Sequence, residues 1–171
     1  LPNLLDEIYN INFDKVFEVI VVNDFSSDNT LKQLERFTSY NLRVISHSRR
    51  SGQSMAIFTG INAAKYDYIV TIDGDGQNNP KDIMRMLNFL FKKNESKIVC
   101  GIRKNRRDNS IRIISSKLAN FVRKHYLGDE CDDTGCSLKI FNKKLFLKIP
   151  YFDGIHRFIP ALFNGMGIKP L

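Results

Sequence analysis

Two short acidic segments carry the side chains best suited to chemistry. In VTIDGDGQNN, residues 70–79, Asp73, Asp75 and Gln77 occupy alternate positions, and in VIVVNDFSSDNT, residues 19–30, Asn23, Asp24 and Asp28 follow an apolar run. In an extended segment residues i and i+2 face the same side, so Asp73, Asp75 and Gln77 would offer three oxygen ligands in one direction. Gly74 and Gly76 would let a phosphate approach the backbone. A few hard oxygen ligands suit Mg²⁺ or Mn²⁺, whose shell is completed by water and substrate phosphates. A calcium loop does not fit. With Asp73 as its first position, Asn78 stands where glycine is required and Met84 where glutamate is required. Asp, Gly and Asn are also common turn residues, so an ordinary polar turn competes for Asp-Gly-Asp taken alone. The second acidic cluster behind another apolar run favours a site.

These clusters need strands that end just before them. VFEVIVV (16–22), LRVIS (42–46), YIVTI (68–72) and KIVCG (97–101) are short, rich in Val and Ile, and bounded by polar turns, as strands are. Helical patterns over 30–40, 53–65 and 80–93 separate them. The last has Asn79 as an N-cap candidate, Pro80 at the first helical position and Asp82 in the first turn. This alternation predicts an α/β fold with a Rossmann-like, mostly parallel sheet flanked by helices. Ligands of such sheets bind beyond the carboxyl ends of the strands, where both acidic clusters fall. After Gly101 the rhythm changes to a basic loop, a helical pattern over 111–126, a strand candidate GCSLKIF (135–141) and a helix over 155–164.

The 171 residues predict one domain, and no run approaches the roughly 18 apolar residues of a membrane span. An excess of 26 Lys+Arg over 18 Asp+Glu gives +8, which suits anionic partners: nucleotides, nucleic acid or an acidic membrane surface. Arg103, Lys104, Arg106, Arg107, Arg112, Lys117, Arg123 and Lys124 crowd one segment that holds a single acid, Asp108, whereas residues 1–48 are net acidic. Cys100, Cys131 and Cys136 are odd in number and lack CxxC spacing, and His47, His125 and His156 lie far apart, so reduced thiols are expected rather than disulfides or a zinc site. The motifs of a P-loop, a dinucleotide fingerprint and a serine-hydrolase elbow are missing. Leu1 opens the chain without methionine or a signal peptide's regions, which suggests a fragment or processed product.

The ordered motifs VVNDFSSDNT, SGQSMAIFTGINAAKYDYIVTIDGDGQNNPKDI, GIRKNRRDNSIRIISSKLANF, DTGCSLKIF and HRFIPAL span almost the whole chain. Together they resemble the family 2 glycosyltransferases, in the branch of dolichol-phosphate mannosyltransferase and the undecaprenyl-phosphate sugar transferases. The resemblance implies a GT-A fold, a UDP- or GDP-linked sugar donor, Mg²⁺ or Mn²⁺, and a polyprenyl-phosphate acceptor met at the cytoplasmic face of a membrane. By position, Asp24 matches an acid of the family's DDGSTDGT motif that helps hold the nucleotide base or ribose, and Asp28 shapes the same turn. Asp73, Asp75 and Gln77 match the family's DADLQ segment, which meets the metal and the diphosphate. Arg103, Arg112, Ser116 and Lys117 fall where phosphate groups are approached, and Asp133, His156 and Arg157 fall near the transfer site. Asn23 stands for an acid, Phe25 for a glycine and Gly76 for an apolar residue of that pattern, departures that bear on nucleobase preference and metal geometry.

The resemblance also divides the chain into a nucleotide-binding part, about 1–101, and an acceptor-side part, about 102–171, of one catalytic domain truncated at both ends. LPNLLDEI resembles the helix after the family's first strand, and MGIKPL resembles the entry to another strand. In GIHRFIPAL, Arg157 suits a phosphate, and Phe158, Ile159, Leu162 and Phe163 offer an apolar face to a prenyl chain or to the protein's own sheet. Met84, Met86, Phe89 and Leu90 are expected to pack. Two rival functions stand beside the transferase: a basic nucleic-acid-binding module, for which the basic segment supplies only Phe121 and Tyr126 as aromatics, and a relative that binds a nucleotide without catalysis.

Overall fold

The computed structural model describes residues 1–37, 40–92, 97–102 and 133–171. Helix α1 (Pro2–Tyr9) has proline in its first turn and buries Leu4, Leu5 and Ile8 along one stripe. Strand β1 (Val19–Asn23) starts three residues later than its apolar run, because Val16 stays in solvent. Helix α2 (Thr30–Leu34) continues into a 3₁₀ turn (Glu35–Phe37), and together they are shorter than the predicted 30–40 helix. The chain must reverse there: the N–H of Tyr40 bonds the Phe37 carbonyl, and β2 begins two residues on. Strand β2 (Leu42–Ser46) runs parallel to β1, with Val19 opposite Leu42 and Asn23 opposite Ser46.

Helix α3 (Gln53–Ala63) lies across β1 so closely that a Cβ on Gly60 would sit 3.3 Å from Val22 Cγ2. Strand β3 (Tyr68–Thr71) leads to a turn and to α4 (Asp82–Lys92). The start of α4 follows the expected signals, two residues late. Asn79 Oδ1 accepts the Lys81 N–H, and the N–H groups of Asp82 and Ile83 reach back to the carbonyls of Asn79 and Pro80 in a tight first turn. Ile83, Met86 and Leu90 form the buried stripe at i, i+3 and i+7, while Phe89 falls off it and is exposed, contrary to its expected packing role.

Strands β4 (Ile98–Cys100) and β5 (Lys139–Asn142) complete a second sheet, of order β3-β5-β4. Among the described strands the one parallel pair is β1–β2. Strand β5 lies antiparallel between β3 and β4, which therefore point the same way. Side chains alternate across this sheet. Ile98 and Phe141 face α3 and two helices that follow β5, α5 (Lys143–Phe146) and α6 (Ile155–Gly165), while Val99 and Ile140 face α4. The β1–β2 pair is covered on one face by Leu5 of α1 and by Leu34 and Phe37. Between β1 and β3 lies an apolar cleft of about 610 Å³, lined by Ile20, Val22, Ile69, Ile57, Leu87 and Phe91 among others.

Candidate active site at the strand ends

At the carboxyl end of β1, Asn23 is buried and shapes the turn behind it, its amide oxygen accepting the Ser26 N–H at 3.1 Å. Phe25 sits in that turn at φ +60°, a left-handed conformation that costs a bulky residue energy, with its ring 56% exposed. The Asp24 carboxylate is held from three sides. His47 Nδ1 lies 2.8 Å from Oδ1, and the N–H groups of Ser51 and Gly52 donate to Oδ1 and Oδ2, each at 2.8 Å. The hydrogen bond from His47, assisted by those two backbone donors, holds the carboxyl below the usual aspartate range. His47 is fixed in turn by Thr59 Oγ1, 3.0 Å from Nε2. Asp28 stays in solvent and accepts both the N–H and the hydroxyl of Thr30, and these bonds lower its carboxyl's pKa.

At the end of β3 the acidic segment is a turn rather than an extended strand, so the alternation argument for Asp73, Asp75 and Gln77 does not describe it. Asp75 Oδ1 accepts the N–H of Gln77 at 3.0 Å, the local bond that an aspartate in a turn commonly makes. Asp73 is anchored from two directions: its N–H donates to Ser137 Oγ at 3.0 Å, and its Oδ1 accepts from Gln53 Nε2 at 2.9 Å. Ser137 Oγ also accepts from Asn78 Nδ2, and the Ser137 carbonyl accepts the Thr71 hydroxyl. This turn is thereby pinned to the segment entering β5.

Asp73, Asp75 and Gln77 carry the oxygen donor types that a small divalent ion takes. Asp73 and Asp75 each keep Oδ2 clear of any described partner, and Gln77 adds an amide oxygen. Among the described residues no three His, Cys, Asp or Glu side chains form a cage. That partial set is what Mg²⁺ or Mn²⁺ takes when water and substrate phosphates fill the other positions.

Four consecutive residues at the start of α3 join these parts. Ser51 and Gly52 bond Asp24, Gln53 bonds Asp73, and Ser54 reaches α6, its Oγ 2.7 Å from His156 Nδ1 and accepting the Gly154 N–H at 2.8 Å. Gly154 has φ +89°, which a glycine adopts without penalty at the helix start. Burial, then the positive charges of Arg157 and Lys139, lower the pKa of His156 and favour its neutral ring. Lys139 is itself buried, and its ammonium donates to the carbonyls of Thr134 and Cys136, fixing the loop that follows the buried Asp133. Arg157 points to solvent. The apolar face proposed beside it is smaller than expected. Ile159 and Phe163 are core residues, at 1% and 0% exposure, whereas Phe158 is exposed and neighbours the exposed Phe152 ring at 6.0 Å.

The strand ends therefore bring together Asp24, Asp73 and, through Ser54, His156. Arg103, Arg112, Ser116 and Lys117 lie outside the described residues, as do the helix expected over 111–126 and Cys131. Cys136 is buried, and its thiol donates to Asn78 Oδ1 at 3.3 Å. Sequence reasoning missed His47, Gln53, Ser54, Ser137 and Lys139. The signal open to it was SGQS, a polar run directly before a helix and behind a strand, where α/β sites are built.

Comparison with known proteins adds an independent line. The family model described as Glycosyl transferase family 2 matches residues 1–149. A dodecaprenyl-phosphate galacturonate synthase of Rhizobium johnstonii is 36% identical over 160 residues, covering 91% of this chain and 47% of the relative. An undecaprenyl-phosphate 4-deoxy-4-formamido-L-arabinose transferase of Proteus mirabilis is 32% identical over 170 residues, covering 96% of this chain and 51% of the relative. The chain thus spans about half the length of these curated relatives. Among solved structures, glucosyl-3-phosphoglycerate synthase from Mycobacterium tuberculosis, in complex with Mn²⁺, UDP-glucose and phosphoglyceric acid, superposes with TM-score 0.77 at 19% identity, over 99% of this chain and 63% of the other. A mannosyltransferase from Pyrobaculum calidifontis, in complex with GDP-mannose and Mn²⁺, gives 0.68 at 18% identity, over 99% and 49%.

Proposed function

This chain belongs to glycosyl transferase family 2 and has the GT-A fold, and we propose that it supplies the donor-handling part of a metal-dependent, inverting sugar transferase acting on polyprenyl phosphate. The observation that carries the reading is the joining of Asp24 and Asp73, from two strand ends, by three consecutive residues, Ser51, Gly52 and Gln53, at the start of α3. Two relatives named for sugar transfer to polyprenyl phosphate support the acceptor class. Neighbours solved with UDP-glucose or GDP-mannose and Mn²⁺ support a nucleotide-sugar donor and a metal.

In this reading an oxygen of the acceptor phosphate attacks the anomeric carbon from the face opposite the diphosphate. The bond to the diphosphate oxygen breaks, and the configuration inverts. A divalent ion held by Asp73, Asp75 and Gln77 would offset negative charge on the departing diphosphate. Asp24, held by His47 and two backbone N–H groups, keeps acceptor capacity at Oδ2 for a donor hydroxyl or base N–H. The exposed Arg157 offers a planar fork of donors to the acceptor phosphate, with Phe158 and Phe152 beside it for the first prenyl units. A phosphate monoester, with its second pKa near ~6, is already anionic at neutral pH and needs no dedicated base.

The test is a binding and transfer screen. UDP- and GDP-sugars are titrated with Mn²⁺, with Mg²⁺ and with chelator, and polyprenyl phosphate is then supplied. Binding of one nucleotide series that chelator weakens, followed by sugar transfer to the lipid, is the expected result. Metal-independent binding to nucleic acid with steep salt dependence would replace this reading with the basic-module one. Nucleotide binding without transfer would favour a non-catalytic relative.

A further inference from the structure

The hydroxyl of Ser54 has one proton and, in this structure, two neighbours. Gly154 presents a backbone N–H, which can only donate, so Ser54 Oγ spends a lone pair accepting it at 2.8 Å. The second neighbour is His156 Nδ1 at 2.7 Å, and the two ways of making that contact are not equivalent. If Ser54 donates, Nδ1 carries no proton and the neutral ring holds its proton on Nε2. If Nδ1–H donates instead, the Ser54 proton has no acceptor among the described residues, in a residue 1% exposed. An unmade bond at a buried polar group costs on the order of 1–3 kcal/mol. The first arrangement is therefore the favoured one.

We infer that Ser54 is a positioning residue that fixes the His156 ring in one orientation and one tautomer, with the proton on Nε2, so that the ring serves as a hydrogen-bond donor and not as a base. Its Nδ1 lone pair is engaged by Ser54, and Nε2 already holds a proton, which leaves no ring nitrogen open to receive another. The charges around His156 agree, because burial, Arg157 and Lys139 together outweigh Asp73 and Asp153 and favour the neutral ring. Ser54 meets both the residue before α6 and the second residue within it, so the same hydroxyl sets the position of α6 relative to α3. Resting on the transferase reading above, the oxygen class that Nε2–H addresses is an anionic phosphate oxygen of donor or acceptor.

The decisive measurement needs no substrate. Nitrogen-15 spectra of the histidine rings, taken above their titration range and assigned by comparison with His156→Gln, should show Nδ1 of His156 unprotonated and hydrogen-bonded, and Nε2 protonated. Ser54→Ala should move the Nδ1 signal to that of a nitrogen without a donor and admit the second tautomer, leaving His47 unchanged, and Ser54→Thr should restore the signal. A wild-type ring protonated on Nδ1, or an Nδ1 signal that ignores Ser54→Ala, overturns the inference; the wild-type spectrum decides even where the alanine variant fails to fold. Transfer assays then separate the two levels. With the predicted spectra, a kcat about tenfold lower in Ser54→Ala, recovered in Ser54→Thr, supports both, and a rise in donor KM or in acceptor KM that accompanies it tells which substrate carries that oxygen. The predicted spectra without transfer from any nucleotide-sugar leave Ser54 as the positioning residue and remove the transferase reading.

Discussion

The β3-β5-β4 sheet and the β1–β2 pair are built to different standards. In the first, β5 is paired along both edges, and Ile98, Ile140 and Phe141 are sealed from solvent by helices on both faces. In the second, the strand residues are mostly half-buried and Val44 is exposed. The candidate site uses one strand end from each, with Asp24 behind β1 and Asp73 behind β3, on either side of the apolar cleft. The site thus spans both standards of packing. On either side the acids are set by hydrogen bonds beyond the strand ends rather than by core packing, Asp73 against the dense sheet and Asp24 against the lighter pair.

That contrast breaks if stability is spread evenly. Phe141→Ala, which empties the middle of β5, should cost about 3–5 kcal/mol in chemical denaturation, whereas Val21→Ala in β1 should cost about 1 kcal/mol. Equal losses would show that the two regions are one energetic unit. The site side is sharpened by Asp75→Asn: transfer should fall about 100-fold while stability changes by less than about 0.5 kcal/mol. An unfolding midpoint that dropped with activity would give Asp75 a structural role instead.

Asp24 gives the contrast a pH signature. Its carboxyl titrates lower in the folded chain than the ordinary value of 3.8, because His47, Ser51 and Gly52 favour the charged form. A depressed folded pKa contributes stability that is fully present above the unfolded pKa and disappears as pH falls through the folded one. Denaturation of wild type and Asp24→Asn should therefore differ at neutral pH and converge on acidification below 3.8. A gap that persists in acid would assign the effect to shape rather than charge. The smallest effect is expected at Phe25, whose left-handed backbone suits glycine. Phe25→Gly exchanges relieved strain for unfolded-state entropy and should stabilise by about 0.5 kcal/mol or less; a loss above about 1 kcal/mol would mean that the ring packs against something the fold needs.

Much of this architecture was legible. LRVIS marks β2 to the residue, since a short β-branched run between polar turns has no good helical alternative. The positions of both acidic clusters behind strands were equally readable. Three things were not. The antiparallel place of β5 between β3 and β4 depends on pairing across the chain, which no local pattern encodes. The turn at Asp75 looks like a strand continuation until its own carboxylate bonds the Gln77 N–H. Ser54 reads as a helix-start serine, because its partners Gly154 and His156 are 100 and 102 residues away.

The placement of β5 also governs the order in which this chain can assemble. Strands β3 and β4 are made early but have no described partner in each other; what joins them is a strand that starts at Lys139. The Thr71 hydroxyl finds its acceptor, the Ser137 carbonyl, 66 residues downstream. On a ribosome adding about 5–20 residues per second, β3 waits several seconds with an unpaired edge and apolar side chains uncovered. Closing so long a loop slows the search as well, since non-local pairing pays its entropy before any contact rewards it. The sheet that seals Ile98, Ile140 and Phe141 thus becomes possible only once Lys139–Asn142 have been made, and the strand that completes it decides whether the nascent chain is a folding intermediate or an aggregation hazard.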